Sequence, residues 1–375
     1  MLIGIDGNEA NFKERVGVHQ YAFELLWAIY RIQNQWKGKH RFIIYLKSVP
    51  SSLLPRENSL WTYKIIPGKG FWVLKSLMPA LLLGQKPDVF FSPSHYLPPI
   101  TLMPKICTIH DLGYLEFSEQ FKKYDFWQLK YWTAISISIS KYIIAVSEST
   151  KKDIVRHYPF ASKKIKVVYH GLDKKRFNNK ISLSDVRHVQ NKYQLPENYI
   201  LFLGTLRPSK NIEGLVSAFA LVVKKFPEFK LVIAGKKGWL YQSIFQKVKN
   251  LKLEDRVIFT DFISEEDKPA LYKGAKILVS PSFWEGFGLH VLEALACGTP
   301  VVVSKIASLP EVVGEARIYI DPYSSVDIAN GIETVLKMRQ KEYNKLVDKG
   351  YRQIVKFSWE STAIDTVKIL EEAVK

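Results

Sequence analysis

The sequence predicts an α/β protein made of two doubly wound, Rossmann-like domains. Three observations predict it. Short apolar runs alternate with amphipathic segments along the chain, several of those runs are apolar at almost every position, and the pattern halts at a polar connector and then starts again. Alternating strands and helices imply a parallel sheet with helices on its faces. Runs that are apolar throughout belong to strands buried on both sides. A length of 375 residues suits two domains, and a 47% hydrophobic content is ample for two cores.

The elements follow in order. Leu2-Ile3-Gly4-Ile5-Asp6 reads as a first strand, and Tyr21 to Ile29 has the apolar spacing of a helix. Arg41 to Leu46, Asp88 to Phe91 and Lys105 to Ile109 read as buried strands. Lys141 to Val146 follows a long helix, and Ile165 to Tyr169 closes the first half. A charged connector runs from about Lys174 to Glu197. Beyond it, Tyr199 to Leu203, Lys230 to Ala234, Arg256 to Phe259, Ile277 to Ser280 and Pro300 to Val303 read as five parallel strands with helices between them. In such sheets ligands collect beyond the carboxyl ends of the strands. Asp6, His110, Gly204 to Lys210, Gly235 and Glu285 all fall there.

Composition narrows the function. No repeat of solenoid period is present, and no uncharged apolar run reaches membrane-spanning length; the nearest, Tyr131 to Val146, contains Lys141. Met1 to Asp6 lacks the charged start of a secretory signal. Cys107 and Cys297 show neither metal-ligand spacing nor a disulfide framework, so a reducing cytoplasm is the expected setting. The net charge is +18, and residues 119–176 carry 13 Lys/Arg against 5 Asp/Glu. Such an excess attracts polyanions, or else marks a solvated basic face. There is no helix-turn-helix, RNA-recognition or zinc-finger signature, so nucleic acid is not an expected partner. Peripheral contact with the anionic inner face of a membrane fits better. The apolar stretch Gly70 to Leu83 reads either as a core helix or as a lipid-docking segment.

The most chemically informative segment is Glu285-Gly286-Phe287-Gly288-Leu289-His290-Val291-Leu292-Glu293. Two carboxylates flank a Gly-Phe-Gly turn that leads into a helix starting at about Leu289. Glycines let backbone N–H groups face a ligand, and a helix start offers unpaired donors and a positive dipole end to a diphosphate. Glu285 can reach sugar hydroxyls and Glu293 a ribose. The same residues also suit a buried strand-turn-helix with two helix-start glutamates. Arg207 and Lys210, in the loop after Leu203, could clamp the charge of a diphosphate.

The segment resembles the Glu-x7-Glu motif of retaining glycosyltransferases of the GT-B fold, family 4. Thr108-Ile109-His110-Asp111-Leu112, Val168 to Asp173, Gly204 to Asn211 and Ser308 to Gly314 are similar to further family landmarks, in the family order. The resemblance covers nearly the whole chain. It implies two Rossmann-like domains facing across a cleft: residues 1–180 for the acceptor, joined by 358–375 crossing back at Phe357-Ser358-Trp359, and residues 195–357 for a nucleotide-sugar donor. His110, Glu285, Arg207 and Lys210 are the implied catalytic residues. Gly17, Gly204, Arg207, Lys210, Gly286, Phe287, Gly288, Leu289 and Glu293 are the implied donor contacts. Asp111 is expected to orient His110 or to cap the next segment of chain, and His95 and Tyr96 to lie on the acceptor side.

The chain departs from the family in places. Ser209 precedes Lys210 where Arg is common, so Arg207 would supply the guanidinium. Gly17 stands where a glycine pair is frequent, His290 replaces a proline, and His170 stands where Asn is common. There is no Asp-x-Asp motif and no metal-ligand spacing, so no cofactor or metal is expected. The resemblance implies retention at the anomeric carbon; with no evident nucleophile for double displacement, the leaving phosphate would deprotonate the acceptor. GDP-mannose is the favoured donor, and a saccharide or lipid-linked acceptor in surface polysaccharide or glycolipid synthesis the favoured target. Two other readings stay open: a sugar-nucleotide 2-epimerase, and a non-catalytic nucleotide-binding or membrane scaffold.

Overall fold

Each segment read above as a strand overlaps one in the computed structural model, which describes residues 1–375. The chain divides into two compact units, Met1–Gly171 with Phe357–Lys375, and Leu172–Lys356. In the first, the strands are β1 (Leu2–Asp6), β2 (Arg41–Leu46), β3 (Trp61–Ile65), β4 (Val89–Ser92), β5 (Lys105–Ile109), β6 (Tyr142–Ala145) and β7 (Ile165–Val167). The helices are α1 (Val18–Ile32), α2 (Met78–Leu83), α3 (Gly113–Glu116), α4 (Lys123–Ile139) and α5 (Glu148–His157). All neighbouring strands pair in parallel, in the order β3-β2-β1-β4-β5-β6-β7. Ile3 is opposite Phe42 on one side and Val89 on the other, and all three are buried.

The second unit repeats the scheme. Its strands are β8 (Tyr199–Leu203), β9 (Lys230–Ala234), β10 (Val257–Asp261), β11 (Ile277–Ser280), β12 (Val301–Ser304) and β13 (Ile318–Ile320), ordered β10-β9-β8-β11-β12-β13. Its helices are α6 (Leu183–Lys192), α7 (Ile212–Val222), α8 (Gln242–Asn250), α9 (Lys268–Gly274), α10 (Leu289–Ala296), α11 (Leu309–Val313), α12 (Ser325–Leu336) and α13 (Gln340–Ile354). In both sheets the first strand sits inside and the chain reverses direction beside it, between β1 and β4 and between β8 and β11. That reversal is the topological switch point where the strand-end loops part and leave a crevice.

Two edge strands add to those expected. β3 (Trp-Thr-Tyr-Lys-Ile) buries only Trp61 fully, and β13 is only three residues long. Neither shows the continuous apolar run of a central strand, yet each completes a sheet edge. Glycine spacing has one structural cause here: an ideal Cβ on Gly235 (φ +138°) would lie 2.0 Å from the Gly204 carbonyl oxygen. The loops after β8 and β9 therefore approach backbone to backbone.

Helix ends follow local chemistry. Serines 147, 182, 324 and 358 accept hydrogen bonds from the first turns of α5, α6, α12 and the last helix, α14 (Trp359–Val374). α1 and α10 differ. They start at Gly17 (φ +52°) and Gly288 (φ +99°), and no side chain caps either. α14 packs on the first unit through α1. A Cβ on Gly171 would meet the Trp359 nitrogen at 2.1 Å, and Thr362 Oγ1 donates to the Tyr169 carbonyl at 2.8 Å.

The stretch Gly70 to Leu83 divides between its two expected readings. A π turn, Val73–Leu77, runs into α2; Trp72, Leu77 and Leu81 enter the core, whereas Phe71 and Leu83 face solvent. Cys107 and Cys297 are buried free thiols, and burial pushes the Cys107 thiol up to about 12. They are inert at neutral pH. No helix is long and apolar enough to cross a membrane.

Candidate functional site at the strand ends of each unit

In the second unit the loops after β8 and β11 face each other across the switch point. Pro208–Lys210 forms a single 3-10 turn, and the Phe283 N–H donates to the Ser209 carbonyl at 2.9 Å, tying the two loops together. Asn211 adopts the left-handed conformation and its Nδ2 donates to the carbonyls of Pro281 (3.1 Å) and Pro322 (2.6 Å). This framework brings Lys210 Nζ within 2.5 Å of Glu285 Oε1. Ser282 Oγ donates to the same oxygen at 3.1 Å. Both charged side chains are about nine-tenths buried, with relative side-chain exposures of 10% and 9%.

Burial by itself would raise the Glu285 pKa. The charge and hydrogen bond of Lys210, with smaller help from His290 and Arg207, together outweigh it, and the carboxyl is held at about 2. Glu285 is therefore ionised at every physiological pH, and a buried anion is tolerated because a cation and a hydroxyl donor sit on it. The turn after Glu285 is pinned from the next strand end: Ser308 Oγ lies 3.0 Å from the Glu285 carbonyl and 2.9 Å from that of Phe287. Phe287 is buried. Gly288 must be glycine, because its φ is +99° and a Cβ would strike Leu309 Cδ2 at 2.9 Å. The start of α10 at Leu289 agrees with the sequence expectation.

Arg207 lies on the same loop as Lys210, its guanidinium 5.3 Å from the Trp239 ring centroid, and its buried Nε makes no hydrogen bond. Glu293, on α10, accepts from Tyr272 Oη at 2.8 Å, and burial raises its pKa. His290 Nε2 is 2.9 Å from Ser280 Oγ, and burial lowers this ring to about 4, so it is neutral at pH 7. The second unit thus gathers Gly204, Arg207, Lys210, Glu285, Gly286, Phe287, Gly288 and Leu289 on the loops of one crevice. Glu293 lies one turn into the helix behind them.

In the first unit the strand ends carry a different set. His110 directly follows β5. Its Nε2 is 2.9 Å from the Pro93 carbonyl oxygen. A carbonyl only accepts, so Nε2 bears the proton and Nδ1 keeps the lone pair in the neutral ring. Burial lowers the His110 pKa. Its ring packs edge-on against Tyr21 at 4.8 Å. Asp111 accepts from the N–H of Gly113, the first residue of α3, at 2.9 Å. His95 is lowered to about 4 by burial, and its Nε2 has no partner. Asp6, at the end of β1, is raised by burial to about 6 while accepting from Asn8.

The sequence reading missed Glu9. Its carboxylate pairs with His19 Nε2 at 3.1 Å, next to the Gly17 turn, and the His19 ring stacks on Phe12 at 4.2 Å. Burial acts to raise the Glu9 pKa, and the His19 hydrogen bond together with the charges of His19, His95 and His110 lowers it overall. An acidic residue in a loop before a helix carries no signal by itself, which is why only the fold reveals the pair. No group of three or more His, Cys, Asp or Glu side chains is arranged to hold a metal ion.

Comparison with known proteins places this geometry. The family of glycosyl transferases group 1 matches residues 185–353, and glycosyltransferase family 4 matches residues 38–176. O-antigen chain mannosyltransferase B of Escherichia coli is 30% identical over 309 residues, covering 81% of this chain and 78% of that protein. The serotype-specific mannosyltransferase WbdA of Escherichia coli is 32% identical over 224 residues, but the match takes in only 27% of its length. Among solved structures, Anabaena HepE in complex with UDP and glucose superposes with a TM-score of 0.75 at 18% identity, over 99% of both chains. That likeness extends to both Rossmann-like units and identifies the fold as GT-B.

Proposed function

The chain belongs to the glycosyl transferases group 1, glycosyltransferase family 4, and from that premise we propose that this glycosyltransferase moves a hexosyl group from a nucleotide diphosphate sugar to a saccharide or lipid-linked acceptor. The donor is GDP-mannose, transfer proceeds with retention, and the product belongs to a surface polysaccharide or glycolipid. The enzyme works in the cytoplasm, in peripheral contact with an anionic membrane. Mannosyltransferase relatives support the choice of sugar.

The observation that carries the proposal is the buried Lys210–Glu285 pair at the switch point, beside the uncapped start of α10. As the bond between the anomeric carbon and the diphosphate breaks, negative charge grows on the leaving oxygen. Preorganised donors where charge develops are the largest catalytic effect available to such a site. Lys210, Arg207 and the amides from Gly286 to Leu289 supply them, with the dipole of α10 behind. Glu285, fixed and ionised, accepts from the hydroxyls of the transferred sugar, and Glu293 accepts from the ribose. Gly17 and Gly204 let backbone approach the phosphates. His110 presents its ring to the reacting sugar. The leaving phosphate takes the proton of the acceptor hydroxyl as the new C–O bond forms on the same face. This arrangement holds the diphosphate without a metal ion.

Thermal denaturation with GDP, UDP, ADP, dTDP and CMP, each with magnesium and with EDTA, tests the donor site. A ligand that binds only the folded state raises Tm. The expected result is a rise with GDP, unchanged by EDTA and absent in Lys210→Ala. No rise with any nucleotide would leave the scaffold reading standing. Turnover of the nucleotide sugar without acceptor would instead favour a 2-epimerase. The anomeric configuration of the product, by NMR, tests retention.

A further inference from the structure

A surface helix normally turns its apolar stripe inward and its polar side to water. α4 is apolar on both sides: Ile137 is fully buried, and Phe126, Leu129 and Ile139 pack on the core of the first unit. Its most buried positions include the hydroxyl residues Thr133 and Ser136, and Ser136 Oγ accepts from the Leu97 N–H. Its outward positions, spaced i, i+3, i+7 and i+11, are Tyr124, Trp127, Tyr131 and Ile135, exposed by 66%, 45%, 60% and 41%. The rings of Trp127 and Tyr131 lie parallel at 5.5 Å, so the face is a preformed slab. The loop after β4 runs alongside: Tyr96 packs edge-on against Trp132 and hydrogen-bonds Gln128. The same loop carries two further exposed apolar residues, Ile100 and Leu102. Four large apolar side chains in a row on one exposed helix face are costly to leave in water and mark a binding face.

Its chemistry selects the occupant. Trp and Tyr pair an apolar body with a polar tip and favour the headgroup zone of a bilayer. Lysines border the stripe. Lys122 and Lys123 stand at the start of α4, and Lys130 Nζ lies 4.9 Å from the Trp127 ring centroid. The excess of 13 Lys/Arg over 5 Asp/Glu falls within residues 119–176, the part of the chain that contains this helix. A second copy of the chain would bring the same positive charge against it, whereas an anionic bilayer complements it. We infer that the outer face of α4 is where this protein docks on anionic phospholipid, with Trp127 and Tyr131 at headgroup depth. The inference rests on the peripheral-membrane reading above and adds the surface that mediates it.

Co-sedimentation of the full chain with phosphatidylcholine vesicles, with and without phosphatidylglycerol, tests it. Wild type should bind only the anionic vesicles, and more weakly as salt rises. Lys122→Gln, Lys123→Gln and Lys130→Gln together should weaken binding by about fivefold per charge. Trp127→Ser with Tyr131→Ser should weaken it by at least about tenfold, with Tm and transfer to a soluble acceptor unchanged. If these variants bind like wild type, while Phe71→Ser with Leu83→Ser does not, the assignment to α4 is wrong and the membrane reading survives. If wild type ignores anionic vesicles, both fall, and the transferase reading is untouched. Dimerisation of wild type that Trp127→Ser abolishes would make a second copy the occupant and overturn the inference.

Discussion

The two units share a sheet order but furnish their strand ends in opposite ways. The crevice of the second unit is built on full charges. Lys210 sits on Glu285, Arg207 is close by, and Glu285 stays ionised because its charged and hydrogen-bonding neighbours together more than offset burial. The strand ends of the first unit hold groups that burial drives towards neutrality: His110 and His95 are lowered, and Asp6 is raised to about 6. The same topology supplies a place for a ligand, and the loop residues decide its polarity. On the proposed reading, charge meets the diphosphate in one unit and neutral donors and acceptors meet sugar hydroxyls in the other.

Removing the charge is the most severe way to break that contrast. Lys210→Ala leaves Glu285 buried without its cation, which costs about 3–5 kcal/mol of stability. Transfer should fall on the order of 100- to 1,000-fold as well. Calorimetry and a radiolabelled-sugar transfer assay check the two effects. Wild-type turnover in this variant would remove Lys210 from the catalytic set.

His110→Ala should separate the units. Turnover is expected to drop on the order of 100-fold or more, while the nucleotide-induced rise in Tm persists, because the second unit is intact. Loss of that rise would mean that the imidazole serves nucleotide binding instead.

Paired glycine substitutions sharpen the comparison at smaller scale. Gly17→Ala and Gly288→Ala each force a side chain into a strained backbone, at about 1–3 kcal/mol. A Cβ at position 17 meets nothing within 4 Å, whereas one at 288 strikes Leu309. Gly288→Ala should therefore show the lower Tm and the larger loss of nucleotide affinity in a titration.

The smallest effect is on pH. His95 and His290, one in each unit, are both lowered from about 6.5 to about 4 by burial. Between those values the unfolded chain binds protons that the native chain does not. Their contribution to stability is complete above about pH 6.5 and is lost as pH falls towards 4. Asp6, raised from 3.8 to about 6, works the other way, favouring the native state as pH falls. Tm should decline on acidification through this window, while the Glu285 charge, held down to about pH 2, preserves nucleotide stabilisation at pH 5. Tm measured from pH 8 to 4, with and without the nucleotide, tests both expectations.

Most of the sheet framework was legible because buried parallel strands must be apolar on both faces. Leu2–Asp6, Tyr199–Leu203 and Ile277–Ser280 announce themselves in that way. β3 and β13 did not. An edge strand need not be covered on both sides, and in Trp61–Ile65 only Trp61 is fully buried. The start of α10 was equally legible, since Gly-Phe-Gly before an apolar run permits little else. The aromatic face of α4 was not: Tyr, Trp and Ile at helical spacing do not tell which side of the helix is outside, and only the fold does.

By itself the sequence determined the two α/β repeats, the glycine turn before α10 and the residue types available at the strand ends, because these depend on local periodicity and backbone freedom. The tertiary structure decided which charges meet. Lys210 and Glu285 are 75 positions apart, and only the parallel order of β8 and β11 puts their loops side by side. It also decided how each group titrates. Ionisation depends on burial and on neighbours in space, so Glu285 stays charged beside Lys210 while at His95 and His290 burial outweighs the nearby carboxylates and the rings stay neutral.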